Sequence, residues 1–195
     1  MPCIRTRPAA RSGGESVVIL ISGASHTGKT ALAQRMLEAY GYPYLSIDHL
    51  KMGLIRSGRT ELTPEDDAQL TELLWPIVRE MIKTAIENRQ HLIAEGCYIP
   101  FDWRRDFDEA YLPSIRYICL AMTDAYLDAH WEDVKAHRCD IERRLEDGTS
   151  LSAEYLKREN RRYIEGCRRC GESVALIGDD YETTIAALVS ASGRT

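Results

Sequence analysis

The chain has 195 residues, 44% of them hydrophobic and 28% charged, which suits one well-filled core, excludes a chain too polar to collapse and leaves little room for a second domain. Its formal net charge of −5 gives no basic surplus to neutralise a polyphosphate backbone, so nucleic acid is excluded as a general partner, whereas a small anion held by a local arginine cluster is not. No apolar run approaches the roughly 20 residues that span a bilayer, and the amino terminus lacks the apolar core of a secretory signal; a soluble, cytoplasmic protein without membrane partners is expected.

In chain order, residues 1–16 hold three arginines, two prolines and the Gly13-Gly14 pair before any regular pattern begins, and read as a flexible extension. Residues 17–195 read as a single domain. Val17–Ser22 is the first of five short apolar segments rich in branched residues; the others are Tyr44–Ile47, His91–Glu95, Ile115–Ala121 and Ser173–Ile177. The intervals carry helical spacing. Leu70, Leu74, Ile77, Met81 and Ala85 recur at steps of three and four, which places them on one helix face. Thr63-Pro64-Glu65-Asp66 is expected to open that helix, and Trp75-Pro76 to kink it. Strands that are almost wholly apolar and alternate with helices predict an α/β fold, with a parallel sheet covered on both faces and reached by right-handed crossovers.

The later segments Thr123–Leu145 and Ser152–Cys170 are strongly charged and are separated by the turn cluster Glu146-Asp147-Gly148-Thr149-Ser150. They read either as a solvated helical pair or as a mobile cover over a site. Six cysteines, Cys3, Cys97, Cys119, Cys139, Cys167 and Cys170, follow no framework spacing. Cys167 and Cys170 form a C-x-x-C within a helical run and lack a second pair nearby, so reduced thiols are expected in place of a metal centre.

The chemistry is concentrated where the first strand ends. Gly23-Ala24-Ser25-His26-Thr27-Gly28-Lys29-Thr30 satisfies G-x-x-x-x-G-K-[ST] in full, after a predicted strand and before a predicted helix. The glycines let backbone N–H groups turn inward around phosphate oxygens, and the following helix aims its positive dipole end at the same point. His26 contributes only its backbone. Lys29 is expected to reach the β- and γ-phosphates of ATP, and the Thr30 hydroxyl to ligate Mg²⁺.

With this loop in that context, the sequence resembles the P-loop kinases that phosphorylate small molecules. That broad group includes nucleoside monophosphate kinases, gluconate and shikimate kinases, chloramphenicol phosphotransferase, zeta-toxin-like kinases and 2-phosphoglycerate kinase-like proteins. The resemblance covers most of Val17 to Ala191; only the phosphate loop is highly specific, and the rest is layout. It implies a three-layer fold with a five-stranded parallel sheet of order 2-3-1-4-5, an acceptor region after the second strand, and an arginine-bearing helical lid within residues 123–170. "YLSIDHLKMGLIRSG" is similar to the acceptor region, which implies that Asp48 faces the transferred phosphoryl group. "HLIAEGCYIP" is similar to a third strand ending in an acid and a glycine, here Glu95 and Gly96, with Glu95 assisting the metal and both lining the acceptor site. "HRCDIERRLEDG" is similar to a lid and implies catalytic roles for Arg138, Arg143 and Arg144.

Each residue has a plainer alternative. Asp48 can cap the helix after it, and one residue can do both. Glu95 can be a solvated strand end, although the carboxyl edge of an α/β sheet is where sites form. Arg56 and Arg59 either bind an anionic acceptor or stay on the surface. Tyr98, Phe101 and Trp103 either wall the pocket or pack in the core. Asp179, after the last strand, is a candidate for adenine recognition on the family layout alone.

The expected activity is transfer of the γ-phosphoryl group from ATP, with Mg²⁺, to a small-molecule hydroxyl. A nucleoside monophosphate kinase is the alternative within the class, although Thr30-Ala31 stands where adenylate kinases carry Gly-Thr. An ATP-binding regulatory module or simple ATPase is the alternative outside it. A GTPase is excluded, since neither N/T-K-x-D nor D-x-x-G occurs. The oligomeric state, monomer or homodimer, is open.

Overall fold

The structure is a computed structural model and describes residues 16–136 and 152–193. All five expected strands form, as β1 (Val18–Gly23), β2 (Tyr44–Ser46), β3 (Leu92–Glu95), β4 (Ile115–Met122) and β5 (Ala175–Ile177). They make one sheet of order β2-β3-β1-β4-β5 in which every pairing is parallel. Among the described residues seven α-helices connect or follow them: α1 (Lys29–Tyr40), α2 (Ile47–Arg56), α3 (Asp67–Glu87), α4 (Asp124–Ala129), α5 (Trp131–Ala136), α6 (Ala153–Arg169) and α7 (Tyr181–Ser192).

The apolar character of β1 follows from its central position. Val18 and Leu20 point to the side covered by α2 and α3, where they meet Leu70, Leu74, Val78 and Ile82. Ile19 and Ile21 point to the opposite side and meet Leu32 and Met36 of α1 and Ile185 of α7. With both faces covered, hydrophobic and polar residues have no reason to alternate along the strand.

Apart from shifts of one or two residues at the other strand ends, three features differ from the sequence reading. Ile47, expected as the last residue of the second strand, is the first of α2. The helix expected from Thr63 begins instead at Asp67. The backbone N–H and hydroxyl of Thr63 both donate to Asp66 Oδ2, at 2.7 and 2.9 Å, and close a turn around Pro64. These bonds also hold the Asp66 carboxyl below the usual range. Thr123–Leu145 does not run as one helix: its described part is two short helices meeting at His130.

The buried stripe of α3 is also displaced. Leu70, Leu74, Trp75, Val78, Ile82 and Ala85 face the core, whereas Ile77 and Met81 are 37% and 42% exposed. The apolar pattern offered two neighbouring stripes, and the one that carries Trp75 is buried, with its indole N–H donating to Asp106 at 2.8 Å. The helix continues through Pro76.

α6 is fastened to β4 by a polar side chain. Asn160 is buried, accepts the Met122 N–H at 2.6 Å on Oδ1 and donates to Leu156 O at 2.7 Å through Nδ2. No described helix is long and apolar enough to cross a membrane. Because Asn160→Ala leaves the Met122 amide buried without its partner, it should destabilise the fold by about 1–3 kcal/mol. Urea unfolding of the two proteins measures this, and an unchanged midpoint would contradict the assigned role.

Candidate active site at the carboxyl edge of the sheet

The site is organised where β1 stops. At Gly23 (φ 144°) the chain passes so close to β4 that a Cβ would lie 2.2 Å from Leu120 O, a carbonyl that also accepts the Ala24 N–H at 3.3 Å. The turn completes at Gly28 in the left-handed region (φ 83°), where a Cβ would meet the Tyr181 hydroxyl at 2.0 Å. His26 is left-handed as well, with φ 62°. Gly28 caps α1 without a side-chain hydrogen bond. The amides of the first turn are therefore aimed past the loop with no side chain competing for them, the arrangement that binds phosphate.

Ala24 O holds the loop in shape by accepting two bonds of 2.8 Å, one from Thr27 Oγ1 and one from Lys29 Nζ. Lys29 is buried. Thr30, the next residue, turns its hydroxyl toward Glu95 Oε1 at 3.4 Å, and the same oxygen accepts from the Tyr44 hydroxyl at 2.9 Å. Glu95 is only 1% exposed. Its position follows from the sheet, since β3 lies beside β1 with Glu95 in register with Ile21. A hydroxyl and a buried carboxylate side by side at a phosphate loop fit Mg²⁺, which takes few protein ligands and keeps waters and phosphate oxygens for the rest.

Asp48 lies in the first turn of α2, one residue inside the helix; Ser46 occupies the N-cap position, so Asp48 does not serve as the N-cap residue. Its Oδ1 is 2.6 Å from Lys51 Nζ, one turn along the same face. Lys51 also donates to the Tyr98 hydroxyl at 3.0 Å, and Tyr98 donates to Asp67 Oδ1 at 3.2 Å. Tyr98 is 2% exposed, and its phenol is held well above its ordinary range, chiefly by burial. Cys97, between Gly96 and Tyr98, has its thiol pushed up to about 11 by burial, with Lys29, Asp48, Asp67 and Lys51 as the charges acting on it. Gly96 lies against Ile47.

The remaining candidates divide. Arg56 closes α2 eight residues beyond Asp48, about 12 Å along the helix, and Arg59 lies past its end; both are exposed. Phe101 packs edge-on against Tyr163 of α6, and Trp103 is a core residue stacked on Tyr117. Asp179 is exposed, and its neighbour Asp180 caps α7 by accepting the Glu182 N–H at 3.1 Å. Arg138, Arg143 and Arg144 lie outside the described residues.

Tyr44, Lys51 and Tyr181 join the site without having been singled out in the sequence. The Asp48-to-Lys51 spacing was visible, but the same spacing is common on solvated helices. Of the C-x-x-C pair, Cys167 is buried against Cys119 and Tyr117 while Cys170 is exposed. Among the described residues no cluster of three or more His, Cys, Asp or Glu could hold a metal.

Clefts lie at two places among the described residues. One of about 330 Å³, lined by Tyr42, Arg89 and His91, lies where β2 and β3 begin, at the edge opposite the phosphate loop. The other, of about 360 Å³, lies between α3, the loop after β3 and α6, with Cys97 in its wall.

No protein-family model matches the chain, and no curated protein matches its sequence. Solved structures do match. A Chloroflexus aurantiacus protein provisionally named a kinase superposes with a TM-score of 0.56 at 16% identity, over 92% of this chain and 97% of its own. Shikimate kinase from Bacteroides thetaiotaomicron gives 0.52 at 16% identity, over 91% and 99%. The protein TT1252 from Thermus thermophilus gives 0.52 at 18% identity, over 93% and 100%. At these identities the likeness establishes a shared fold: the chain has the α/β architecture, with a five-stranded parallel sheet, on which shikimate kinase is built.

The two thiols that bracket the second cleft should differ in reactivity. On the folded protein at neutral pH, iodoacetamide should label the exposed Cys170 well before the half-buried Cys97, whose thiol is pushed up to about 11 and stays protonated. Peptide mapping by mass spectrometry checks this; equal rates would contradict the burial of Cys97.

Proposed function

We propose that the protein is a phosphotransferase that moves the γ-phosphoryl group of ATP, with Mg²⁺, to a hydroxyl of a small molecule. The observation that carries the reading is the open amino end of α1, with Lys29 and Thr30 beside the buried Glu95. Phosphoryl transfer asks a protein mainly for alignment and for positive charge around the moving group. The residues at this edge suit both demands.

Backbone amides from Gly23 to Thr30 would cradle the phosphates. Lys29 would exchange the Ala24 carbonyl for a phosphate oxygen, a move that needs only side-chain rotation. Thr30 and Glu95 would hold the Mg²⁺, which when bound neutralises charge between the β- and γ-phosphates. Tyr44 keeps Glu95 oriented by its 2.9 Å bond. Asp48 would accept the proton of the acceptor hydroxyl, with its carboxylate held in place by Lys51 at 2.6 Å. Arg138, Arg143 and Arg144 are proposed, on the resemblance alone, to close over the transferred group.

The test is to incubate the protein with ATP, Mg²⁺ and a pooled set of sugars, phosphorylated acids, antibiotics and nucleotides, and to search by mass spectrometry for one product heavier by one phosphoryl group. A nucleotide that gains the group would make the enzyme a nucleotide kinase. Nucleotide binding without any acceptor-dependent product would identify a regulatory module and sink the transferase. Lys29→Ala and Asp48→Asn should each lower turnover at least about 100-fold with the melting temperature little changed; turnover at the wild-type rate in either variant would remove that residue from the mechanism.

A further inference from the structure

Beneath the phosphate loop lies a group of reactive side chains that the proposed transfer does not use. Cys119 of β4 and Cys167 of α6 are both fully buried, in one cluster with Ala24 of the loop and Tyr163. The loop is directly above them, since β4 pairs Cys119 with Ser22 and Leu120 with Gly23. The Cys119 thiol donates a hydrogen bond to the Cys167 sulfur, and the Tyr117 hydroxyl lies 3.8 Å from the same atom. Cys97, Cys119, Cys167 and Cys170 are all free thiols.

The two partners are unlike. The bond from Cys119 holds the Cys167 thiol below the ordinary range, while giving that bond holds Cys119 above it. Cys167 is therefore the nucleophile of the pair. Buried as it is, it needs an intermediary to meet an oxidant. Cys170, three residues on, is exposed, and its N–H donates to Cys167 O at 3.0 Å and closes the last turn of α6. The C-x-x-C spacing places the two side chains within one turn of each other.

We propose that Cys119 and Cys167 form a reversible disulfide when the protein meets a peroxide, with Cys170 as the thiol through which oxidation enters. The peroxide gives one oxygen to Cys170, its O–O bond breaks, and a sulfenic acid and water result. Cys167 attacks the sulfenic sulfur, whose hydroxyl leaves as a second water with the thiol proton, and a Cys167–Cys170 disulfide forms. Cys119 then attacks the Cys167 sulfur, and its proton passes to Cys170 as that thiol departs. In sum two thiols lose two electrons and two protons, and one hydrogen peroxide becomes two waters.

The bond draws the two sulfurs to about 2.05 Å. α6 is already close to its surroundings here, for a Cβ on Gly166 would lie 2.5 Å from the Phe101 ring. Close-packed neighbours pass such a displacement on. One neighbour is Ala24, whose carbonyl accepts the bonds from Thr27 Oγ1 and Lys29 Nζ, so the disulfide distorts the phosphate loop and weakens nucleotide binding. That last step rests on the phosphotransferase reading, and the disulfide itself does not.

For the test, full-length reduced protein is treated with hydrogen peroxide, its remaining thiols are blocked with N-ethylmaleimide, and unreduced peptides are mapped by mass spectrometry. A Cys119–Cys167 crosslink that dithiothreitol reverses is expected. Cys170→Ser, at an exposed helix end and checked for an unchanged melting temperature, should slow its formation at least about tenfold. Oxidation should raise the Kd for Mg²⁺ and a non-hydrolysable ATP analogue about tenfold, and dithiothreitol should restore it. Oxidised protein without this crosslink, or with a crosslink between other cysteines in its place, would overturn the proposal. Formation at the wild-type rate in Cys170→Ser would strike out the relay. A crosslink that leaves nucleotide affinity unchanged would remove the control over the loop. Reduced protein that forms the crosslink yet never binds the analogue would instead remove the kinase reading and leave the disulfide standing.

Discussion

The structure depends on one constraint: a fully buried central strand must end and hand its chain to a helix whose first amides carry no side-chain cap. Unsatisfied N–H groups are costly wherever they are shielded from water. Here they are gathered in one place and directed outward, which is tolerable only where an anion or solvent meets them. The loop cannot relax toward an ordinary capped turn, because Gly23 is pressed against Leu120 and Gly28 lies beneath the Tyr181 hydroxyl. Both contacts exclude a Cβ. The backbone is thereby held in a shape that leaves the first amides of α1 without a side-chain cap.

The sheet order converts that local feature into a site. Since β1 lies between β3 and β4 while its own crossover leads to β2, a crevice opens at the carboxyl edge where the connections part. Glu95 reaches the crevice because it is in register with Ile21, and Asp48 reaches it because α2 starts directly after β2. Two carboxylates and two lysines then share a small, poorly hydrated region. Such charges persist only when each has a partner. Tyr44 serves Glu95, Lys51 serves Asp48 and Tyr98, and Ala24 O receives Lys29. The network fixes the orientation of these groups in the unliganded protein, the kind of preorganisation that the proposed transfer would require.

The parts of this arrangement that were legible in the sequence are those set by local physics. Five apolar segments became five strands, because central strands buried on two faces read as near-continuous apolar runs. The phosphate loop was legible because its backbone shape demands glycine at fixed spacing. What was not legible depended on tertiary choice. The α3 pattern carried two usable stripes, and only packing of Trp75 toward Asp106 decides that Ile77 and Met81 face outward. Thr63 to Asp66 held the letters of a helix start, yet the threonine and the aspartate satisfied one another and delayed the helix to Asp67. Lys51 and Tyr44 look ordinary until folding brings Asp48 and Glu95 to them.

This division has a consequence for specificity. The proposed nucleotide site is made largely of main chain, so a short motif is enough to specify it, while the fold itself is shared with chains only 16–18% identical to this one. By contrast, the proposed acceptor region around Asp48 is made of side chains drawn from α2, α3 and the loop after β3. No local pattern records their convergence, and a shared fold transmits none of their chemistry. Two proteins can therefore agree on how phosphate is held and differ wholly in what receives it. In this chain the side chains of Lys51 and Tyr98 lie next to Asp48, and a molecule proposed to approach that carboxylate would meet them first.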